Sequence, residues 1–283
     1  MPNTKSNPGT KRRVPKWASS PFKACLVDLE RQYHMVRLSA SGIAALRGVP
    51  RIIEVLTYID GESTPSRDSS LKNAKEEAEL ARRELSSGFP ILHAWAVVGL
   101  WGRLEALIRV VVAEWLRHKK SVWQIRQIQG LRIRLGEYES LPKVERALYV
   151  AEMLEKELGA GLRNGATRFE ALLEPFGLSG KLPAPLTQTL YELGQVRNVI
   201  AHRNGRVDRQ FTQACPWLGL KIGTDLQVSA EMFQCYYQAV SFYVTLLICR
   251  VGEAWGVDMS EPRSSTEERA NGILLEKATS PEE

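Results

Sequence analysis

The chain has 283 residues, of which 44% are apolar, 25% charged and 8% aromatic, enough for about two domains or comfortably one large one, with a sizeable core. That composition excludes a mainly disordered chain, a collagen-like fibre and a small disulfide scaffold. The formal net charge of +6 is unevenly spread: residues 1–23 carry six basic side chains and no acid, whereas Asp258 to Glu283 carry seven acids against three bases. The stretch between keeps about +4, a bias compatible with nucleic-acid binding but not diagnostic of it.

In chain order, residues 1–22 are rich in Pro, Lys and Ser and read as a flexible basic arm. No apolar run follows their charges, as a secretory signal would require. The spacing of Leu26, Leu29, Tyr33, Val36 and Ile43 predicts a helix over Lys23–Leu46. Arg51–Ile59 is a short apolar segment that pattern alone assigns neither to helix nor to strand. Gly61–Ser70 is a turn-rich link ending in an N-cap for a charged helix over Leu71–Ser86. Phe89–His118 is the dominant element, apolar around most of its circumference as expected of a central bundle helix.

Further helices are predicted over Pro142–Leu158, Thr167–Leu173 and Leu186–Arg203, the last stopping at Gly205. Val207–Val228 holds two short extended runs around a Cys-Pro-Trp-Leu-Gly turn, the pattern of a β-hairpin. Ser229–Trp255 returns to helix, with Phe233, Tyr236, Val240, Tyr243 or Val244, Leu247 and Val251 on one face. The expected fold class is therefore all-α, a helical bundle with a small β-hairpin before the last long helix. Its divisions are the arm (1–22), an N-terminal helical extension and linker (23–68), the bundle (69–257) and an acidic flexible tail (258–283).

The apolar stretches around Leu92–Leu116 and Met232–Val251 are interrupted by Arg103, Glu105, Arg109 and Glu114, and by Gln234 and Gln238. Neither is expected to span a bilayer, and the chain reads as soluble and cytoplasmic with no membrane partner. Cys25, Cys215, Cys235 and Cys249 form no CxxC or Cys/His cluster, and read as reduced, mostly buried thiols.

The segment Tyr191–Asp208, YELGQVRNVIAHRNGRVD, is the most informative. On a helical wheel Leu186, Leu190, Leu193 and Ile200 share an arc of about 80°, and Arg197 falls in its middle. A guanidinium on an apolar face calls for an anion, either a carboxylate or a phosphate. Asn198 and His202, four apart, share the neighbouring face, and the helix dipole at the last turn favours the imidazolium form of His202. An arginine fork, an amide and an imidazole suit the handling of a phosphodiester. The alternatives are an ion pair fixing helix register at Arg197 and a helix-end cap at His202.

These residues resemble the RNxxxH form of the Arg-x(4–6)-His motif of HEPN domains, the higher eukaryote and prokaryote nucleotide-binding helical bundles. Ala94–Val112 resembles the first core helix of that family. The segment beginning GRVDRQF is similar to the stretch after the motif in the branch that accompanies ribosome-linked L-PSP-type RNases. The likeness covers roughly Leu71–Trp255. It implies a metal-independent endoribonuclease needing no cofactor, with RNA as partner and substrate, acting as a toxin or abortive-infection (phage defence) effector. Arg197, Asn198 and His202 would be the catalytic residues, in a site composed across a homodimer, with an antitoxin or other regulatory partner. The mechanism implied is attack of a 2′-OH on the adjacent phosphorus, with His202 moving protons and Arg197 stabilising the phosphoryl oxygens. The alternative within the family is a non-catalytic module binding nucleotide, RNA or a protein. In toxins paired with minimal nucleotidyltransferases, a tyrosine modified by adenylylation stands two residues after the histidine. Asn204 holds that position here, which puts such neutralisation in doubt.

Glu105 and Arg109 are supporting candidates. They lie opposite Arg103 and Glu114 on the long helix, so one pair is expected inside, with Glu105 as an anion for Arg197; an ordinary solvated pair is the alternative. His34, His93 and His118 read as structural. The basic stretch Arg117, His118, Lys119, Lys120, Arg126, Arg132 and Arg134 reads as either an RNA contact or a solvated surface.

Overall fold

The computed structural model describes residues 13–61 and 64–278. Among them are twelve α-helices and no β-strand. By internal contacts they group into two compact units, each assembled from non-contiguous segments. The first draws on the described residues up to Val27, on Gly102–Gly194 and on those from Gln238 onward, the second on Asp28–Trp101 and Gln195–Tyr237.

α1 (Lys16–Ala45) starts earlier than the apolar spacing suggested, so Lys16–Phe22 of the expected flexible arm are helical. Residues 1–12 of that arm lie outside the described residues. The unsettled segment is a helix, α2 (Val49–Asp60), with Pro50 in its first turn where a missing N–H costs nothing. α3 (Pro65–Ser87) begins at Thr64, whose hydroxyl accepts from the Arg67 amide at 3.3 Å. Pro65 at the first position then carries the helix through the six residues expected to be link. In the second unit α2 lies along α3, with Lys75 paired to Glu54 at 2.9 Å. Ala74, Ala78 and Ala81 form the buried stripe of α3.

α4 (Pro90–His118) is the long central helix foreseen. It is followed in the chain by two short helices, α5 (Arg126–Gln129) and α6 (Leu135–Ser140), and then by α7 (Lys143–Glu157), α8 (Ala166–Leu173) and α9 (Ala184–His202), whose last turns from Gln195 belong to the second unit. Gly165 caps α8 at φ +58°, and a Cβ there would come within 2.7 Å of the Tyr191 backbone. Only glycine fits that approach.

The expected β-hairpin is not formed. α10 (Arg209–Ala214) occupies its first half, because Asp208 caps the helix by accepting from the Phe211 amide at 2.8 Å. The only β-type pairing among the described residues is an isolated antiparallel bridge between Arg206 and Asp225. α11 (Ala230–Ala254) buries the face read from its spacing, from Phe233 through Val251. By length and composition it also passes as a membrane span, contrary to the sequence reading, although 56% of its apolar window is buried within the protein. The acidic tail is not an irregular segment either, since Ser260–Ala278 form α12. All four cysteines are buried, as expected, and none is in a disulfide among the described residues.

Candidate active site

α9 carries the three residues singled out for chemistry. Its middle turns are buried on nearly every side: Thr189, Leu190, Glu192, Leu193 and Val196 are all at most 1% exposed. Over the last turns the helix emerges, so that Arg197, Asn198 and Ile200 are half-buried while Ala201 and His202 are exposed. This corrects the wheel reading. Arg197 is not at the centre of a buried arc, because the buried side near the helix end passes to Val196 and Val199.

The three side chains converge. Arg197 Nη1 donates to Asn198 Oδ1 at 3.0 Å and lies 3.3 Å from His202 Nε2. A guanidinium only donates, so the 3.3 Å approach is a hydrogen bond in the tautomer whose Nε2 offers its lone pair. An imidazole lone pair held at an exposed helix end, one bond from a cation, is the equipment of a general base beside an anion-stabilising group.

The backbone beyond the helix keeps this end open. Asn204 (φ +51°) and Gly205 (φ +75°) turn the chain sharply, and the Gly205 amide closes on the Val199 carbonyl at 3.1 Å in a helix-terminating bond of Schellman type. The Gly205 carbonyl then accepts from the Leu226 amide at 2.8 Å. Arg203 grips Asp208 and donates to Gln210 at 2.7 Å. The chain leaving α9 is thus tied to its own following segment.

Glu105 and Arg109 both join a network of the first unit that runs through Glu155 and Arg168. Arg168 donates from Nη1 to Glu105 at 2.6 Å and from Nε and Nη2 to one oxygen of Glu155 at 3.0 and 2.6 Å. Arg109 Nε donates to the other oxygen of Glu155 at 3.0 Å. Burial alone would raise the Glu155 carboxyl, but the hydrogen bonds and charges of Arg168 and Arg109 outweigh it and hold the group below its usual value. Sequence reasoning missed Glu155 and Arg168. The available signal was the excess of charge on helices whose apolar faces were already complete.

A second network was also missed. Glu170 accepts from Tyr243 at 2.8 Å and from Arg250 Nη1 at 2.8 and 3.0 Å, while Arg250 reaches the carbonyls of Leu178 and Gly180. Burial, reinforced by Glu170, pushes the Tyr243 phenol well above its ordinary value. Of the remaining histidines, His34 lies 3.9 Å from Glu30, and His118 lies 3.2 Å from Glu114 and stacks on Trp17. His93 is buried against Phe233.

No family model, curated protein or solved structure matches the chain.

Proposed function

We propose that the protein is an endoribonuclease of HEPN type, with Arg197, Asn198 and His202 as its catalytic residues. The observation that carries this reading is the placement of Arg197 Nη1 between Asn198 Oδ1 and His202 Nε2 at an exposed helix end. When RNA binds, Arg197 exchanges its contact with the ring for the phosphoryl oxygens, where its fork offers two parallel donors. The freed Nε2 takes the proton of the 2′-OH as that oxygen attacks phosphorus. The 5′-oxygen leaves with a proton, giving a 2′,3′-cyclic phosphate and a 5′-hydroxyl end.

His202 supplies the base, and an acid is still needed for the leaving oxygen. A second copy of the chain, arranged about a two-fold axis, would bring another His202 to that role. The same chemistry in a cell would damage transcripts, which agrees with a toxin or phage-defence role under the control of an inhibitory partner. Asn198 holds the guanidinium in line until substrate replaces it. No metal enters these steps. DNA, without the 2′-OH, is not cleaved by this route.

The test is incubation of the purified full chain with RNA in EDTA, with mapping of the product ends. Cyclic-phosphate ends that disappear in His202→Ala and Arg197→Ala, with both variants still melting cooperatively, support the reading. Equal cleavage by the variants removes this cluster from the mechanism. Binding without any product assigns the chain to the non-catalytic class.

A further inference from the structure

From Trp115 to Gly136 the chain carries no acidic residue, yet it includes Arg117, Lys119, Lys120, Arg126, Arg132 and Arg134. The first unit folds the centre of this stretch into a 3₁₀ turn (Lys120–Gln124) and the short α5, separated by an extended Ile125, and a ladder of bonds three residues apart runs through them. The amides of Val122, Ile125, Ile128 and Leu131 donate in succession to the carbonyls of Lys119, Val122, Ile125 and Ile128, at 2.9–3.2 Å. Each of these donors belongs to an apolar residue turned inward: Val122 and Ile128 are buried, Ile125 and Leu131 half-buried. The residue that follows each of these four, Trp123, Arg126, Gln129 and Arg132, is exposed, and so is Lys120 at the start of the segment.

The chemistry of that stretch is uneven in an informative way. Arg117 is paired with Glu114, Arg134 with Glu137, and the Lys119 ammonium lies 4.1 Å above the Trp255 ring. By contrast, Lys120, Arg126 and Arg132 meet no carboxylate among the described residues. Between them Trp123 stays 45% exposed, its one donor already used on the Leu116 carbonyl at 3.1 Å. An indole pinned by its N–H beside unneutralised cations is a stacking platform set in an electrostatic track, the combination that single-stranded nucleic acid requires. Val122 and Ile128 are buried, and the exposed aliphatic side chains of this stretch, Ile133 and Leu135, lie beyond Arg132, too few for the broad apolar face with which an amphipathic segment enters a membrane.

We propose that the Lys120–Arg132 ladder is a binding surface for single-stranded RNA, its cations on backbone phosphates, Trp123 stacked on a base and Gln129 at a base edge or sugar. The ladder takes RNA as its ligand on the strength of the ribonuclease reading, but it lies in the other unit of the chain and is tested separately.

The experiment measures fluorescence anisotropy of a labelled 2′-O-methyl oligoribonucleotide, which has no free 2′-OH to cleave, with the full-length protein across a salt series. Lys120→Ala/Arg126→Ala/Arg132→Ala should reduce the slope of log affinity against log salt by about 2, the loss of three phosphate contacts on a single strand. Trp123→Ala should weaken binding about tenfold while Trp123→Phe, which keeps a ring, stays near wild type. Circular dichroism checks that each variant keeps its helices, and Val122 and Ile128 are untouched. An unchanged slope in the triple variant overturns the proposal, as does tighter binding to phosphatidylserine vesicles than to the strand. If the binding pattern holds and native RNA is not cleaved, the ladder stands and the ribonuclease reading falls. If His202-dependent cleavage proceeds with full kcat/KM in the triple variant, the ladder falls and the ribonuclease reading stands.

Discussion

Two polar clusters looked alike in the sequence, each a pair of side chains four apart on a helix, and the fold treats them in opposite ways. In the first unit Glu105 and Arg109 join Glu155 and Arg168 in a half-buried network of two cations and two anions, with both oxygens of Glu155 bonded to guanidinium groups. In the second, Asn198 and His202 meet Arg197 where α9 emerges, and the ring remains exposed. A network of matched charge fixes helices and resists ligands, because any incoming ion must displace a bonded partner. A cation beside an imidazole at the surface can exchange its contact for a substrate oxygen. Exposure, rather than spacing, separates the structural cluster from the candidate site.

The largest effects should fall on the exposed cluster. His202→Ala and Arg197→Ala are each expected to lower RNA cleavage at least about a hundredfold, the scale of a lost general base or charge stabiliser. Their thermal midpoints should stay within a few degrees of wild type, because neither side chain fills the core. Single-turnover cleavage of labelled RNA with parallel melts checks both numbers, and a large stability loss with residual activity would reassign the residues to folding. The matched network should respond in the reverse sense. Arg168→Met removes one cation from Glu155 and Glu105 together and is expected to cost about 2–3 kcal/mol in urea unfolding, somewhat below the full value for a buried pair. Cleavage per folded molecule should be unchanged, and a selective loss of activity would instead bring this network into the site.

The long helices were legible because their apolar residues recur at helical spacing, and the stop at Gly205 because a left-handed residue was required there. Other features depended on information outside the local pattern. α2 could not be assigned because its apolar residues serve no single inward face: Ile52, Val55, Leu56, Tyr58 and Ile59 are all exposed. The extended runs after α9 suggested a hairpin, but one capping interaction at Asp208 converted the first of them to helix. The acids after Asp258 signalled an irregular tail, whereas Ser260 onward forms α12, with Arg263 paired to Glu253 at 2.6 Å. The grouping of Arg197, Asn198 and His202 was readable from spacing alone. The exposure of His202 was not, since a wheel does not show where a helix leaves its core. Arg168 and Glu155 escaped notice because their partners are distant in sequence.

Smaller effects sharpen the contrast further. Asn198→Ala removes the acceptor that aligns Arg197 while leaving both reacting groups, so a loss of about tenfold in cleavage is expected, the scale of one positioning hydrogen bond. Asn198→Asp should then recover part of the rate at saturating substrate by restoring an acceptor to the guanidinium. Loss equal to that of His202→Ala would make the amide a direct participant.

A buried histidine of the second unit, His93, supplies the weakest test and the clearest control. His93 is 6% exposed and stacks on Phe233 at 5.7 Å, and its Nδ1 has no hydrogen-bond partner among the described residues. Burial lowers its pKa, against the opposing influence of the Gly88 and Val228 carbonyls and of Glu231. In the unfolded chain the ring protonates near the ordinary histidine value of about 6.5. Between that value and the lower folded one, the unfolded state binds more protons, so stability falls as the pH falls. The contribution is present in full above the unfolded value and is lost as the pH drops through the folded one. The thermal midpoint of the wild type should therefore decline from pH 7.5 to 5.5, and His93→Phe should flatten that decline while leaving cleavage at pH 7.5 intact. A decline of equal size in both proteins would move the titration to another group and leave burial of the ring as a packing effect alone.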